Sequence, residues 1–452
     1  MTSVHPASVT EPARQTPVLG EFDVVVLGGG PAGMTAAAAA ARHGCRTLLI
    51  ERYGFLGGMG TAAGVTNFCG LHANVFGDNR RVVHGLADEL LATLEGLGGL
   101  CEPHRMFQDR IMAQAYDNAA YKLAADDLVV SSGSQLLFHA QAAGVLMRSP
   151  GEIAALLVET KSGRAAVVGR IYIDCSGDGD MAAAAGVPYE KGDGHGGMLY
   201  PSTMFRVNNV DPARAGRAWE HFGRLMEEAT RDGRRFARKT PIVRPQKNPV
   251  EWRANVTQLS NPDGTAIDGT DAWQLSEGEL QGRRQARDFF EFLREYAPGF
   301  DASYILEIAP QVGIRETRRI VGEYLLTEDD VLGCASFEDT IGVNGWPVEA
   351  HVAGDIVFKF VDVPNVRGFN HLPYRMLLPL GVDNLLVAGR CASMTHMGQS
   401  AARVTGPCFA MGQAAGTAAA LSLRAGVAPR RLDVAALQQV LERDGAYLGR
   451  DM

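Results

Sequence analysis

Residues 22–51 read FDVVVLGGGPAGMTAAAAAARHGCRTLLIE, and this stretch decides the fold. Val24, Val25, Val26 and Leu27 form an apolar, largely β-branched run suited to a strand buried on both faces of a parallel sheet. Gly28, Gly30 and Gly33 follow in G-x-G-x-x-G spacing. An alanine-rich helix over Ala36–Ala41 ends at Gly44, and a second apolar strand, Thr47–Ile50, leads into Glu51. A glycine motif inside such a β-α-β unit of about thirty residues points to an adenine dinucleotide. Gly28 permits the tight turn, Gly30 lets a pyrophosphate approach the backbone, and Gly33 lets helix and strands pack closely. Pro31 is tolerated in the first helical turn, where its missing N–H has no partner to lose. The helix N-terminus faces the phosphates with its free N–H groups. Glu51 is placed to accept from both hydroxyls of the adenosine ribose, and its charge disfavours a 2′-phosphate.

Outward from that unit, the 452 residues are enough for two or more domains. A net charge of −8 argues against a general nucleic-acid partner. Seven cysteines without a C-x-x-C pair read as reduced thiols of a cytoplasmic protein, neither a disulfide framework nor a metal site. Residues 1–20 are polar and lack an apolar signal-peptide core, so they are expected to be a disordered lead-in. No apolar run reaches the roughly 18 residues of a membrane span, so no membrane partner is expected.

Downstream, Gly57, Gly58, Gly60 and Gly64 make a nearly bare loop that suits close packing along a flavin's ribityl chain and ring, or an ordinary surface turn. Residues 80–127 show apolar spacing of three and four and are expected to be a helical insertion over the cofactor. Strands follow, with a hairpin turn at Lys161-Ser162-Gly163. Ile171–Gly186 is a second strand, glycine turn and helix, carrying Asp178. Residues 190–364 mix alternating strands with charged helices and are expected to form a separate α+β substrate-side domain. Within it, residues 231–247 carry seven Lys/Arg against one Asp, read mainly as a solvated face. GIRETRRIVGE, residues 313–323, is expected to be a short helix presenting Arg315 and Arg319 on one face. Either a substrate carboxylate or acidic side chains of the fold would lie opposite them.

In the tail, an apolar strand at Leu385–Ala388 runs into Gly389 and Arg390, and a polar loop carries His396, Gln399, Ser400 and Arg403. Thr405-Gly406-Pro407 then starts a helix of small residues containing Gly412 and Gly416. Its N-terminus is suited to negative charge at the edge of a reduced flavin. The spacing of Gly412 and Gly416 matches a membrane-dimer motif, but Gln413, Thr417 and the short length speak against that use.

Three separated segments, the glycine unit with Glu51, the IDCSGDGD turn and NLLVAGRCAS…RVTGPCFAMGQAAG, together resemble the bacterial FAD-dependent oxidoreductases of the glutathione-reductase-like flavoprotein superfamily. The GIRETRR and LPYRMLLP segments look like that family too. The resemblance implies a Rossmann-like α/β domain binding FAD, assembled from residues 21–189 and 365–452. Gly28, Gly30, Pro31, Ala32, Gly33, Glu51 and Arg52 would hold the ADP half, and Gly57, Gly58, Gly60 and Thr61 the ribityl region. Asp178, Gly389 and Arg390 would lie near the pyrophosphate or ribityl chain, and Gly406 and Gly412 in the final flavin helix. A second G-x-G-x-x-G and the C-x-x-x-x-C of the disulfide reductases are both missing, and a covalent flavin link through Cys69 or His72 stays open.

The expected function is hydride transfer from a small metabolite to flavin N5 by an oxidase or dehydrogenase. Alternatives are a monooxygenase or ene-reductase using external NAD(P)H, or a flavoprotein subunit that carries electrons or binds FAD structurally. The candidate bases are His371 and His396, while Tyr374, Arg375 and Arg403 are candidate anion binders. A homodimer is left open.

Overall fold

The computed structural model describes residues 8, 10–107 and 109–451. Its largest sheet has seven strands. The first strand, Val18–Leu27, is parallel to Thr47–Ile50 on one side and to Gly163–Asp174 on the other, and Gln135–Leu137 extends the sheet beyond Thr47–Ile50. Leu27 stands opposite both Ile50 and Asp174, so Gly28, Glu51 and Cys175 emerge together at the carboxyl ends of three parallel strands. That crevice is where open α/β sheets bind ligands.

The outer edge of Gly163–Asp174 is shared by two partners. Its first half pairs antiparallel with Glu152–Thr160, which continues to Gln141–Ser149. Its second half, Tyr172 to Asp174, pairs parallel with Leu385–Val387. A late segment of the chain thereby joins the first β-α-β unit in one discontinuous Rossmann-like domain.

Val24, Val25 and Val26 are fully buried, as the apolar run requires. The first helix, Pro31–Arg42, packs against the tail helix, Thr405–Ala425. A Cβ on Gly412 or Gly416 would come 2.0 or 2.1 Å from the carbonyl oxygens of Ala32 and Ala36. The small-residue stripe therefore serves close contact of two helices inside the domain. Among the described residues no helix is long and apolar enough to cross a membrane.

A second, antiparallel sheet runs in the order Ile242–Pro245, Trp252–Asn255, Phe205–Asn208, Tyr304–Ile308. The 25-residue helix Ala272–Tyr296 belongs to the same layer of structure, its N-terminus capped by the Asp271 side chain on the amides of Trp273 and Gln274. Their shared core holds Phe205, Trp252, Phe289, Phe292 and Phe300. Each such side chain contributes about 1.5–3 kcal/mol on burial.

Four expectations are corrected here: Val18–Gly20 open the first strand and are not disordered, His396–Ala402 is a helix and not a loop, and two longer segments differ as follows. Residues 80–127 are not helical throughout: helices Leu86–Gly96 and Asn118–Ser131 flank a hairpin of Leu100–Met106 and Ile111–Tyr116. Phe107 and Asp109 take positive φ in its turn, and Ile111–Tyr116 is buried on both faces except at Met112. Residues 313–323 form no helix either. Gly313 bridges Ser202, and Arg319–Ile320 pairs with Tyr189–Glu190. The extended backbone sends the charges different ways: Arg318 pairs with Asp180 and Arg319 with Glu316 and Glu190, while among the described residues the Arg315 side chain bonds only Tyr200 O and Ser202.

Candidate active site

One cavity runs from Glu51, Arg52 and Tyr53, past Gly28, Gly30 and Gly389, to Thr405 and Cys408 and on to Arg253 and His351. At its outer end Gly30 is the N-cap of the first helix, with φ −75° and ψ −175°. The nearest atom to a Cβ placed there is Gly58 Cα at 3.6 Å, so the cavity side of Gly30 is open. The first helical hydrogen bond runs from Met34 N to Gly30 O at 3.0 Å, which leaves the preceding amides at the helix mouth. Glu51 is buried, accepting from Gly29 N at 2.7 Å and from Tyr53 N at 3.0 Å. The open backbone, the helix N-terminus and the fixed carboxylate suit the diphosphate and ribose of an ADP moiety.

The other predicted cofactor residues divide into lining and supporting groups. Pro31, Ala32, Arg52, Gly58, Gly60, Gly389 and Arg390 line the cavity. Gly33 lies under it, where a Cβ would sit 1.7 Å from Gly28 O. Thr61 donates to Leu56 O at 2.7 Å and packs against Gly57, which has φ +106°. Asp178 is turned to Arg390 Nη2 at 3.0 Å and Thr317 Oγ1 at 2.8 Å, so it fixes Arg390 instead of facing the cavity. Gly406 packs on Gly70 and Gly412 on Ala32, both as close-packing positions.

The inner end of the cavity, the chamber, is lined by three guanidinium groups. Arg253 comes from the second sheet, Arg315 from the extended 313–323 segment and Arg403 from the turn before the tail helix. Arg315 Nη1 donates to Tyr200 O at 2.6 Å and Ser202 Oγ at 2.7 Å. Arg253 bonds Val65 O and, with the Asn67 amide oriented to accept, Asn67 at 3.0 Å.

Opposite stand Glu349 and His351 on the strand Val348–Val352. Glu349 accepts from Trp346 Nε1 at 2.7 Å and meets His351 Nε2 at 3.0 Å. Burial opposes ionisation of Glu349, but the N–H groups of His351 and Trp346 and the charge of Arg403 outweigh it and hold the carboxyl down at about 2. Burial pushes His351 well below the ordinary imidazole range, with Arg315 acting the same way and Glu349 only partly offsetting them. His351 is therefore neutral at pH 7. With its Nε2–H given to Glu349, the free lone pair is on Nδ1. Cys69 also lines the chamber, and burial raises its thiol to about 12, so it is protonated.

Of the five catalytic candidates, only Arg403 lines the cavity. His396 Nδ1 is 3.0 Å from Glu316, a carboxylate that also accepts from Leu199 N and Arg319. His371 has both ring nitrogens engaged, by Phe337 N at 3.1 Å and Gly449 O at 3.1 Å. Tyr374 is buried with its hydroxyl on Pro429 O, and Arg375 pairs with Asp339. None of these four lines the cavity, and each has a protein partner outside it. His351, Glu349 and Arg253 were missed. One signal was available: Glu349 and His351 are two apart in VEAHV, and so share one face of a strand.

A family model described as FAD dependent oxidoreductase matches residues 23–441. The chain belongs to this family. It is an enzyme whose cofactor is FAD, and the glycine cradle fits that group. No curated protein matches the chain. Among solved structures, a geranylgeranyl bacteriochlorophyll reductase-like protein from Thermoplasma acidophilum is 15% identical, with TM-score 0.47, covering 94% of this chain and 82% of that one. An anhydrotetracycline hydroxylase from Streptomyces rimosus is 12% identical, with TM-score 0.44, covering 94% of this chain and 65% of its own. A p-nitrophenol 4-monooxygenase from Pseudomonas putida is 12% identical, with TM-score 0.43, covering 94% and 81%.

Proposed function

We propose that this oxidoreductase oxidises a small metabolite, which loses a hydride toward the cofactor and a proton toward His351. FAD supplies, when bound, a two-electron acceptor at N5. The observation that carries the reading is a neutral imidazole in the cavity chamber, oriented by an ionised carboxylate. A base so placed accepts a proton at Nδ1, and Glu349 stabilises the imidazolium that results. Trp346 and the apolar wall limit water in the chamber, which strengthens those interactions. The helix mouth at Thr405 is suited to negative charge that develops on the cofactor side.

The shared edge of Gly163–Asp174 supports placing the family within the glutathione-reductase-like flavoproteins. A cytoplasmic setting and a small-molecule substrate, without nucleic-acid or membrane partners, belong to the same proposal. The seven unpaired thiols support the setting.

The test is the visible spectrum of the purified protein, followed by anaerobic mixing with NADH or NADPH and with a metabolite panel. Flavin absorbance bleached by a metabolite, with hydrogen peroxide formed in air, is expected. Rapid bleaching by NAD(P)H alone would replace this reading with a monooxygenase or ene-reductase. A coloured protein bleached by neither would point to an electron-carrying subunit.

A further inference from the structure

The chamber holds more positive charge than its own residues neutralise. Arg253, Arg315 and Arg403 face one carboxylate, Glu349, whose oxygens are already taken by Trp346 and His351. Arg253 Nε and Arg403 Nε and Nη2 are buried and have no hydrogen-bond partner among the described residues. Guanidinium stays protonated in proteins, so these are cationic donors withdrawn from water. An unsatisfied buried donor is costly, and more so when it is charged. Arg253, Arg315 and Arg403 line one chamber, and buried cationic donors so grouped suit an anion.

The cofactor's diphosphate is served at the other end of the cavity, by Gly30 and Arg390. The walls beside the arginines are apolar: Trp346, Ile242, Met106 and Phe107. We propose that the chamber takes an organic acid, its carboxylate held by Arg253 and Arg403 and its carbon body lying against Trp346 and Ile242. Arg315, locked by Tyr200 O and Ser202, adds charge without needing to move. The two guanidinium groups come from different domains of the chain, so the acid joins the second sheet to the flavin-side turn. This assignment deepens the oxidoreductase reading and rests on it.

The experiment titrates the FAD-loaded protein with matched acid and amide pairs, benzoate with benzamide and succinate with succinamide. Flavin band shifts and calorimetric heat are both recorded. At least one acid is expected to bind about tenfold or more tightly than its amide. Arg253→Gln and Arg403→Gln should each erase that preference while keeping the flavin spectrum. Arg253→Lys should restore part of it, which separates lost charge from misfolding. Acids and amides binding alike, or no acid binding, would overturn the proposal while the spectrum still stands. A protein that never takes up FAD would instead overturn the oxidoreductase reading.

Discussion

At the outer end of the cavity, Gly28, Gly30, Gly33 and Glu51 lie within about thirty consecutive residues and act largely through backbone. At the inner end, Asn67, Arg253, Arg315, the Glu349–His351 strand and Arg403 come from five separate segments and act through side chains. The outer end depends on local geometry: a turn, a helix start and the lack of a Cβ. The inner end exists only once two sheets and the tail meet. A nucleotide cradle is therefore a property of a short sequence, whereas a reaction chamber is a property of the assembled chain.

The sharpest way to break that contrast is to fill a glycine whose role is packing. Gly33→Val places a Cβ 1.7 Å from Gly28 O, a backbone atom that cannot move aside. The expected loss is about 5 kcal/mol or more, enough to unfold a domain of ordinary stability. Urea unfolding measures it, and a variant within about 1 kcal/mol of the parent would refute the packing role. Gly30→Ala is the matched control. Its Cβ has room, so the apo-protein should keep its stability, while FAD affinity falls about tenfold or more because the methyl occupies the phosphate approach.

The inner end is probed next by rate. His351→Ala should lower flavin reduction by about 10²–10⁴-fold with FAD retained. Stopped-flow reduction against the same variant's flavin content decides this. Reduction at the parent rate would remove His351 as the base.

Acid then tests the electrostatics. Glu349 titrates at about 2 in the folded chain against 4.5 ordinarily. A depressed carboxyl contributes stability above its unfolded value, and that contribution is lost as pH falls from about 4.5 toward about 2. Its full size is about 3 kcal/mol. Urea midpoints at pH 5 and pH 3 should therefore fall less steeply for Glu349→Gln than for the parent. Equal slopes would mean that the carboxylate is not held by Trp346, His351 and Arg403.

Much of this molecule was legible before its structure. The 22–51 unit, the second glycine turn and the tail strand lead to FAD and to a Rossmann-like fold, because each carries a local constraint. The arginine-rich 313–323 segment fits a helix face by its like charges four apart, while the partners that fix it as extended backbone, Tyr200 and Ser202 for Arg315, Asp180 for Arg318 and Glu190 for Arg319, lie far off in sequence. The hairpin within residues 80–127 is masked by its flanks, Leu86–Gly96 and Asn118–Ser131, whose apolar spacing of three and four is helical. His371 and His396 stood out as histidines near the flavin-side strand, yet proximity in sequence says nothing about which ring nitrogens the fold has already engaged. His351 lies in VEAHV, a short run without a glycine turn or a known motif to mark it.

The smallest expected effect concerns Arg375. Arg375 is, with Tyr374 and Arg403, one of the expected anion binders. In the structure its guanidinium is about half exposed and pairs with Asp339, with Nε to Oδ2 at 2.9 Å. Exposed pairs of this kind contribute about 0–1 kcal/mol, because water screens them and two side chains must be held in place. Arg375→Ala should thus change stability by less than about 1 kcal/mol and leave the substrate KM and the reduction rate at parent values. Arg403→Gln, in the same assay, should raise KM. The two arginines lie in the same stretch of sequence and differ in which way the fold turns them. A parent-like Arg403→Gln beside a defective Arg375→Ala would reverse the assignment and move the anion site to the Asp339 loop.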